Sequence, residues 1–324
     1  MKLQEEVELL LNDAIGMAAS DIYFFAKENS YEIAFRLGKK RHIYQMVELA
    51  KGAELLNYFK YHAQMDIAEH RRAQVGSWTY VKDGASYFLR FSSLGDFLNQ
   101  ESLVIRIIYQ LREANYYFPE DFVKLETLSE QRGLILTSGP TGSGKTTLMY
   151  QLAKKIGQKQ VVMCLEDPIE INEPDFFQAQ INPIANITYE VLLKAALRHR
   201  PDILIIGEIR DQETAKLAIQ ASLSGHLVLS TVHATTSLGT IMRMLDLGVS
   251  QAELANCLTA VTYQRLIKST HQQTGCLLDV VSQDQLQKAI CKPHQGFVNW
   301  HAKLTQLQTE GRISDERMQE YQAG

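Results

Sequence analysis

The sequence has few cysteines, and their spacing excludes the usual joint roles. The four of them, Cys164, Cys257, Cys276 and Cys291, include no C-x-x-C pair. This spacing argues against a zinc knuckle and against a disulfide framework. Because isolated thiols are typical of a reducing cytosol, we expect a cytoplasmic protein that has no zinc site.

Long apolar runs and a strong excess of one charge are also missing. No run approaches the roughly twenty apolar residues that a membrane-spanning helix requires. The first residues form an acidic amphipathic stretch, unlike the basic segment and apolar core of a signal peptide. The formal net charge is -4, which argues against a surface dominated by nucleic-acid contacts. We therefore expect no direct nucleic-acid partner, and a membrane association only through partner proteins.

The chain is long enough for two domains. It has 324 residues, of which 45% are hydrophobic, so two cores can be buried. Residues 1–112 mix helical and strand patterns, with an Asp-Gly turn between two strand-like segments, and predict a smaller α+β domain. Residues 113–118 are predicted to be a linker. Residues 119–324 begin with strands that alternate with helices, which is typical of a parallel α/β sheet. After about residue 270 the chain is polar and predicts no particular element.

The strongest motif is a glycine-rich turn between a predicted strand and a predicted helix. It fits the phosphate-binding pattern G-x-x-x-x-G-K-[ST] at every defined position. Glycines let backbone N–H groups approach phosphates, and the helix N-terminus favours anions. We expect Lys145 to reach the β- and γ-phosphates, and the Thr146 hydroxyl to bind Mg²⁺. The predicted nucleotide-binding residues are Gly139, Pro140, Thr141, Gly142, Ser143, Gly144, Lys145, Thr146 and Thr147.

Two acidic segments follow predicted strands of the same sheet. Glu208 comes directly after a buried strand, where a carboxylate can hold the Mg²⁺ shell or polarise water. Glu166 ends another strand and is followed by Asp167 and Pro168, and the proline fixes this turn. The alternative for either glutamate is a solvated carboxylate at a strand end.

Histidines and arginines give weaker signals. His226 precedes one predicted strand and His233 follows it, and a histidine at a strand end more often caps or packs than catalyses. Arg90 and Arg106 stand in strand-like segments of the first domain, where an arginine must reach water or an anion. The alternatives for these two are an arginine finger, which reaches a neighbour's nucleotide, and a surface ion pair.

Four segments in this order resemble the traffic ATPases of type II secretion and type IV pilus systems. They are the glycine-rich turn at 139–146, the acidic box at 166–170, the segment 200–214 and the box 225–233. The segments around Asp21, Arg90 and Arg106 resemble the N-terminal signature and the paired arginine strands of this family. The length and the missing cysteine pairs make the chain most similar to the Gram-positive competence branch.

The resemblance implies a RecA-like P-loop ATPase domain, a smaller PAS-like N-terminal domain and a hexameric ring with ATP between subunits. It implies that Glu208 is the Walker B carboxylate and that Glu166 is the glutamate of the acidic box. Either can be the base that activates water. His226 and His233 would sense the γ-phosphate or couple it to domain movement.

The resemblance also implies a function. Arg90 and Arg106 would complete the nucleotide pocket, in their own subunit or in a neighbour. The motor would hydrolyse ATP to assemble a competence pseudopilus for DNA uptake, and would act on a polytopic platform protein at the inner face of the cell membrane. The alternatives are a type II protein secretion motor, a nucleic-acid motor and an interaction protein switched by a nucleotide.

Overall fold

The polypeptide folds as two units of unequal size. The computed structural model describes residues 2–38, 40–111, 113–182 and 185–324. The units are Met1–Gln110 and Leu111–Gly324. No helix among these described residues is long and apolar enough to cross a membrane.

The first unit is an antiparallel sheet with two helices on one face. Its elements are α1 (Leu3–Gly16), β1 (Asp21–Ala26), β2 (Ser30–Leu37), β3 (Lys40–Glu48), α2 (Leu49–His62), β4 (Gln74–Lys82), β5 (Ala85–Gly95) and β6 (Glu101–Ile108). The strands lie in the order β3-β2-β1-β6-β5-β4. Because side chains alternate along a strand, one face can be apolar, and this face packs on the two helices around Phe24, Ile33 and Phe59.

The hairpin of β4 and β5 forms as the Asp-Gly signal predicts. Asp83 and Gly84 both have positive φ, at 50° and 79°, which is the geometry of the tight turn that matches strand twist. Strand β3, by contrast, was not predicted. It lies at the edge of the sheet and most of its side chains are exposed or half-buried, so its sequence lacks a clear alternation.

The second unit contains a seven-stranded mixed sheet between helices. Its elements are α3 (Pro119–Ser129), β7 (Gly133–Ser138), α4 (Lys145–Ile156), β8 (Val162–Glu166), β9 (Phe177–Gln180), α5 (Tyr189–Arg198), β10 (Ile203–Ile206), α6 (Gln212–Leu223), β11 (Leu227–Val232), α7 (Gly239–Asp246), α8 (Gln251–Cys257), β12 (Leu258–Lys268), β13 (Thr274–Ser282), α9 (Gln283–Cys291), α10 (Trp300–Thr309) and α11 (Asp315–Glu320). The strand order is β13-β12-β7-β11-β10-β8-β9, and β13 is antiparallel to its neighbour.

Two apolar layers cover this sheet. Leu134 and Leu136 of β7 belong to a buried cluster with α5, α6 and α7, whereas Ile135 belongs to a second cluster with α3 and α4. Strands β10 and β11 are buried along their whole length, as expected of parallel strands covered on both faces. Because β7, β8, β10 and β11 are parallel, their carboxyl ends meet at one edge of the sheet.

The residues predicted to form a linker pack on the second unit. The Cys276 N–H donates to the carbonyl oxygen of Asn115 at 2.7 Å, and the Tyr117 N–H donates to the carbonyl oxygen of Cys276 at 2.9 Å. Tyr117 itself is buried. This part of the chain therefore has fixed hydrogen-bond partners on β13.

The segment after residue 270 is folded, although its sequence predicted no element. Strand β13 pairs with β12 along its whole length. Trp300 is fully buried and its Nε1 donates to the carbonyl oxygen of Tyr321 at 2.8 Å. A small aromatic core therefore packs against α10 and α11. Because the residues around this core are mostly polar, the sequence shows no regular spacing of apolar residues that would predict these helices.

Candidate active site

The glycine-rich turn joins β7 to α4 at the carboxyl edge of the sheet. Gly139 and Gly144 have φ of 137° and 86°, a region that residues with a Cβ rarely adopt. A Cβ on Gly139 would lie 2.5 Å from the carbonyl oxygen of Gln264. The Nε2 atom of Gln264 donates to the carbonyl oxygen of Ser143 at 2.7 Å. Strand β12 thus supports the turn at two points and fixes its backbone.

The start of α4 has the groups that a phosphate needs. Gly144 precedes the helix and provides no side-chain cap, so the first N–H groups of the described helix are available to an anion. Lys145 Nζ lies in the turn and donates to the carbonyl oxygens of Gly139 at 2.9 Å and Pro140 at 3.0 Å. Burial lowers the pKa of Lys145, and the carboxylate of Glu208 opposes that effect. These donors fit a nucleotide phosphate.

Oxygen ligands for a hard cation lie next to the turn. The Thr146 hydroxyl donates to Glu170 Oε2 at 2.7 Å. Within the described ranges no cluster of three or more histidine, cysteine or carboxylate side chains could hold a metal alone. Mg²⁺ commonly binds through one or two protein groups together with phosphate oxygens, so this arrangement fits Mg²⁺ bound with a nucleotide.

Glu208 follows β10 and stands between a histidine and an arginine. Its Oε1 atom lies 2.8 Å from His233 Nε2, and its Oε2 atom accepts a hydrogen bond from Arg210 Nε at 2.8 Å. The Oε1 atom is buried and accepts no well-aligned hydrogen bond from the described residues, so His233 approaches it closely without forming one. The bond from Arg210 to this carboxylate raises the pKa of the arginine. His233 follows β11, which neighbours β10, and this adjacency brings the pair together.

Glu166 ends β8 and lies in a drier environment. Its side chain is buried, and this burial raises its pKa to about 7, although a hydrogen bond from the Tyr150 hydroxyl lowers the pKa again. A Cβ on Gly207 would lie 3.0 Å from Glu166 Cγ. The glycine before Glu208 therefore lets the ends of β8 and β10 approach each other closely.

Two residues of this site were missed by the sequence analysis. Tyr150 lies on α4 and contacts Glu166, and Gln178 of β9 donates to the Tyr150 hydroxyl at 2.7 Å. A tyrosine on the buried face of a helix is a usable signal, because its hydroxyl needs a hydrogen-bond partner inside the protein. Gln178 gives no comparable signal, since its place depends on the pairing of β8 with β9.

The structure does not bring His226 to the turn of its own chain. His226 precedes β11, whose other end leads to His233. At about 3.3 Å per residue, a strand of this length separates the two ends by roughly 20 Å. His226 Nδ1 lies 3.1 Å from the carbonyl oxygen of Ala221, so the ring packs at the turn between α6 and β11. The predicted role of His226 at a nucleotide stays a prediction.

Arg90 and Arg106 are direct cross-strand neighbours in the first unit. They lie opposite each other on β5 and β6, and Asp21 of β1 lies opposite Arg106 on its other side. Arg106 Nε donates to Asp21 Oδ1 at 2.9 Å. Like charges directly opposite in a sheet are unfavourable, and the Asp21 carboxylate offsets this repulsion at Arg106. The role of both arginines at a nucleotide stays a prediction.

Comparison with known proteins agrees with the resemblance. Competence protein ComGA of Streptococcus pneumoniae is 41% identical over 312 residues, which cover 96% of this chain and 96% of that protein. ComGA of Bacillus subtilis is 38% identical over 266 residues, which cover 80% of this chain and 74% of that protein. Type II secretion system protein E of Pseudomonas aeruginosa is 36% identical over 271 residues, 81% of this chain and 53% of that protein.

Solved structures share the fold. The ATPase DotB of Legionella pneumophila matches with a TM-score of 0.77 at 18% identity, covering 98% of this chain and 95% of DotB. The pilus retraction motor PilT with bound ADP matches with a TM-score of 0.75 at 23% identity, covering 96% of this chain and 95% of PilT. These matches confirm the α/β fold. The profile of one family matches residues 2–313, and the chain belongs to that family, the type II/IV secretion system proteins.

Proposed function

We propose that this protein is an ATP-hydrolysing motor that powers assembly of a competence pseudopilus for DNA uptake. One observation carries the proposal: the glycine-rich turn with Lys145 lies at the sheet edge where Glu166 and Glu208 end neighbouring strands. The similarity to the ComGA proteins supports competence as the setting. The ATPase neighbours in fold are consistent with a hydrolytic site.

Each residue of the site has a separate role in the proposed mechanism. Bound ATP supplies the phosphoanhydride bond that hydrolysis breaks, and Mg²⁺ offsets the charge of its phosphates. Lys145 and the N–H groups at the start of α4 bind the β- and γ-phosphates. Thr146 and Glu208 would hold the metal, and His233 would hold the Glu208 carboxylate in place. These groups position the nucleotide without taking a proton themselves.

We assign the base to Glu166. A general base works best when its pKa lies near the operating pH, and burial gives Glu166 a pKa of about 7. Glu208 lies between Arg210 at Oε2 and His233 beside Oε1, so neighbouring side chains fix the orientation of its carboxylate. Glu166 would thus accept the proton of the attacking water, and Glu208 would hold the metal shell.

The assembly and its partners belong to the same proposal. Six copies would form a ring with ATP between subunits, where Arg90 and Arg106 complete the pocket. The first unit would be PAS-like and the second RecA-like. The motor would sit in the cytoplasm at the inner face of the cell membrane, bound to a polytopic platform protein and not to nucleic acid.

A type II protein secretion motor is the second candidate. The 36% identity with the type II secretion system protein E of Pseudomonas aeruginosa favours it. The two functions differ in what the fibre moves, and therefore in which phenotype depends on the motor.

The test combines one variant with two readouts. We expect Lys145→Ala to lower ATP turnover by at least about a hundredfold, because the lysine neutralises charge on the transferring phosphoryl group. In a transformable host that lacks its own copy, wild-type protein should restore DNA uptake and the variant should not. If the variant hydrolyses ATP at the wild-type rate, the assignment of the ATP site to the glycine-rich turn is wrong. If a variant without ATPase activity still supports wild-type DNA uptake, the protein is not the motor for uptake. If the variant abolishes protein secretion and leaves DNA uptake intact, the second candidate is favoured.

A further inference from the structure

A chain of hydrogen bonds, buried at Glu166 and half-buried at Gln178, connects the acidic box to α4. The Glu173 N–H donates to Gln178 Oε1 at 3.0 Å, which fixes the orientation of the Gln178 amide. Gln178 Nε2 is therefore the donor, and it reaches the Ile171 carbonyl oxygen and the Tyr150 hydroxyl, each at 2.7 Å. Since the Tyr150 oxygen accepts from Gln178, its own proton points to Glu166 Oε1, to which it donates.

Tyr150 is locked in this position by its surroundings. Its side chain is fully buried, and its ring lies 5.5 Å from the ring of Phe176, measured between centroids. Tyr150 belongs to α4, the helix that begins at Lys145. One rigid helix therefore carries both the predicted phosphate-binding lysine and the hydroxyl that contacts Glu166.

We propose that Tyr150 is a positioning residue for Glu166, and that its hydroxyl, oriented by Gln178, holds the carboxylate in the geometry needed to activate water. This inference rests on the proposed role of Glu166 as the base. A hydrogen bond donated to a carboxylate favours its charged form, and only the charged form can accept a proton. The bond from Tyr150 lowers the pKa of Glu166 against the effect of burial, in agreement with this role.

The test is Tyr150→Phe, which keeps the ring and removes only the hydroxyl. We expect kcat to fall about tenfold or more, while the KM for ATP and the affinity for ADP change less than about twofold. The matched control is Tyr116→Phe, because the Tyr116 hydroxyl donates to Gln151 of the same helix and not to Glu166. The control should keep wild-type kcat. A drop of equal size in both variants would overturn the proposal, because it would come from packing of the helix.

A double-mutant cycle separates positioning from a structural role. If Tyr150 acts through Glu166, adding Tyr150→Phe to Glu166→Gln should change the residual kcat by less than about twofold. If Tyr150→Phe lowers kcat by the same factor in the Glu166→Gln background as in the wild type, the proposal is overturned. Gln178→Met gives a second variant that leaves the ring in place, and it should lower kcat in the same direction by leaving the Tyr150 proton without a fixed orientation.

Failure of this inference can be told apart from failure of the proposed function. Wild-type turnover by Tyr150→Phe, with Glu166→Gln impaired, would overturn the role of Tyr150 alone. Wild-type turnover by Glu166→Gln would overturn the base assignment and this inference with it. Only the result with Lys145→Ala bears on whether the site hydrolyses ATP at all.

Discussion

Two glutamates follow neighbouring parallel strands, yet their surroundings give them different chemistry. Glu208 lies between Arg210 and His233, and each of its carboxylate oxygens has one of these side chains beside it. Glu166 is buried and accepts a hydrogen bond from a neutral hydroxyl donor, Tyr150, and this burial holds its proton more tightly. Pairs of titratable groups in such contrasting environments are typical of sites that divide base and binding roles.

The first expected outcome at this scale is the pH dependence of turnover. Burial raises the pKa of Glu166 to about 7, so the base becomes protonated and inactive as the pH falls through that value. Turnover measured from pH 5 to 9 should therefore show an acid limb with a midpoint near 7. Among groups that act on Glu166, burial also raises the pKa values of Tyr150 and Cys164, so both stay neutral over this range. An unchanged limb in the residual activity of Glu166→Gln would contradict the assignment.

The same raised pKa predicts a pH-dependent effect on stability. A carboxyl group whose pKa is higher in the folded state favours folding below its unfolded pKa, and this contribution is lost as the pH rises through about 7. Glu166→Gln removes the buried charge, so the variant should be more stable than wild type at pH 8 by up to about 3 kcal/mol. The gap should close below pH 5. Urea unfolding at the two pH values measures the difference in the free energy of unfolding between the variant and the wild type. An equal difference at both pH values would exclude the titration of Glu166 as its cause.

At the scale of elements, a row of charges crosses the sheet of the first unit. Arg36, Asp21, Arg106 and Arg90 lie directly opposite one another on four successive strands. Asp21 is buried and is the only acidic residue of these four, so it offsets repulsion between the arginines. The row explains why an aspartate stands at the start of β1.

We expect Asp21→Asn to destabilise the protein by about 1 kcal/mol, because Arg36 and Arg106 then lose the carboxylate between them. The loss should be larger in low salt, where charges are screened less. Urea unfolding of the full chain measures it. The control is the same substitution in an Arg106→Gln background, where the loss should shrink, and an equal loss in both backgrounds would contradict the explanation.

The elements differ in how far they could be predicted. Strands β10 and β11 are short apolar runs between turn residues, and their sequence indicates buried strands directly. Strand β3 lies at a sheet edge with mostly exposed side chains, so no periodicity marks it. The elements around Trp300 depend on a few apolar residues spread over polar sequence, and their contacts join distant parts of the chain.

At the scale of the whole molecule, we expect a ring. Light scattering should give about six times the chain mass of 36.8 kDa in the presence of ATP and Mg²⁺.

Arg90→Ala is expected to reduce turnover more than tenfold if the arginine completes a neighbour's pocket. Mixing it with excess Lys145→Ala would then restore part of the turnover at mixed interfaces. A monomer under all conditions, or no recovery on mixing, would contradict the cross-subunit site.

The sequence by itself determined the glycine-rich turn, the order of the boxes that follow it and the family. These are local patterns, whose chemistry depends on residue types at fixed spacing. The tertiary structure decided which side chains meet: it paired His233 with Glu208, joined Tyr150 to Glu166 and placed His226 at the opposite end of its strand. These outcomes follow from the strand order β7-β11-β10-β8, and the contacts that set this order join residues far apart in the chain.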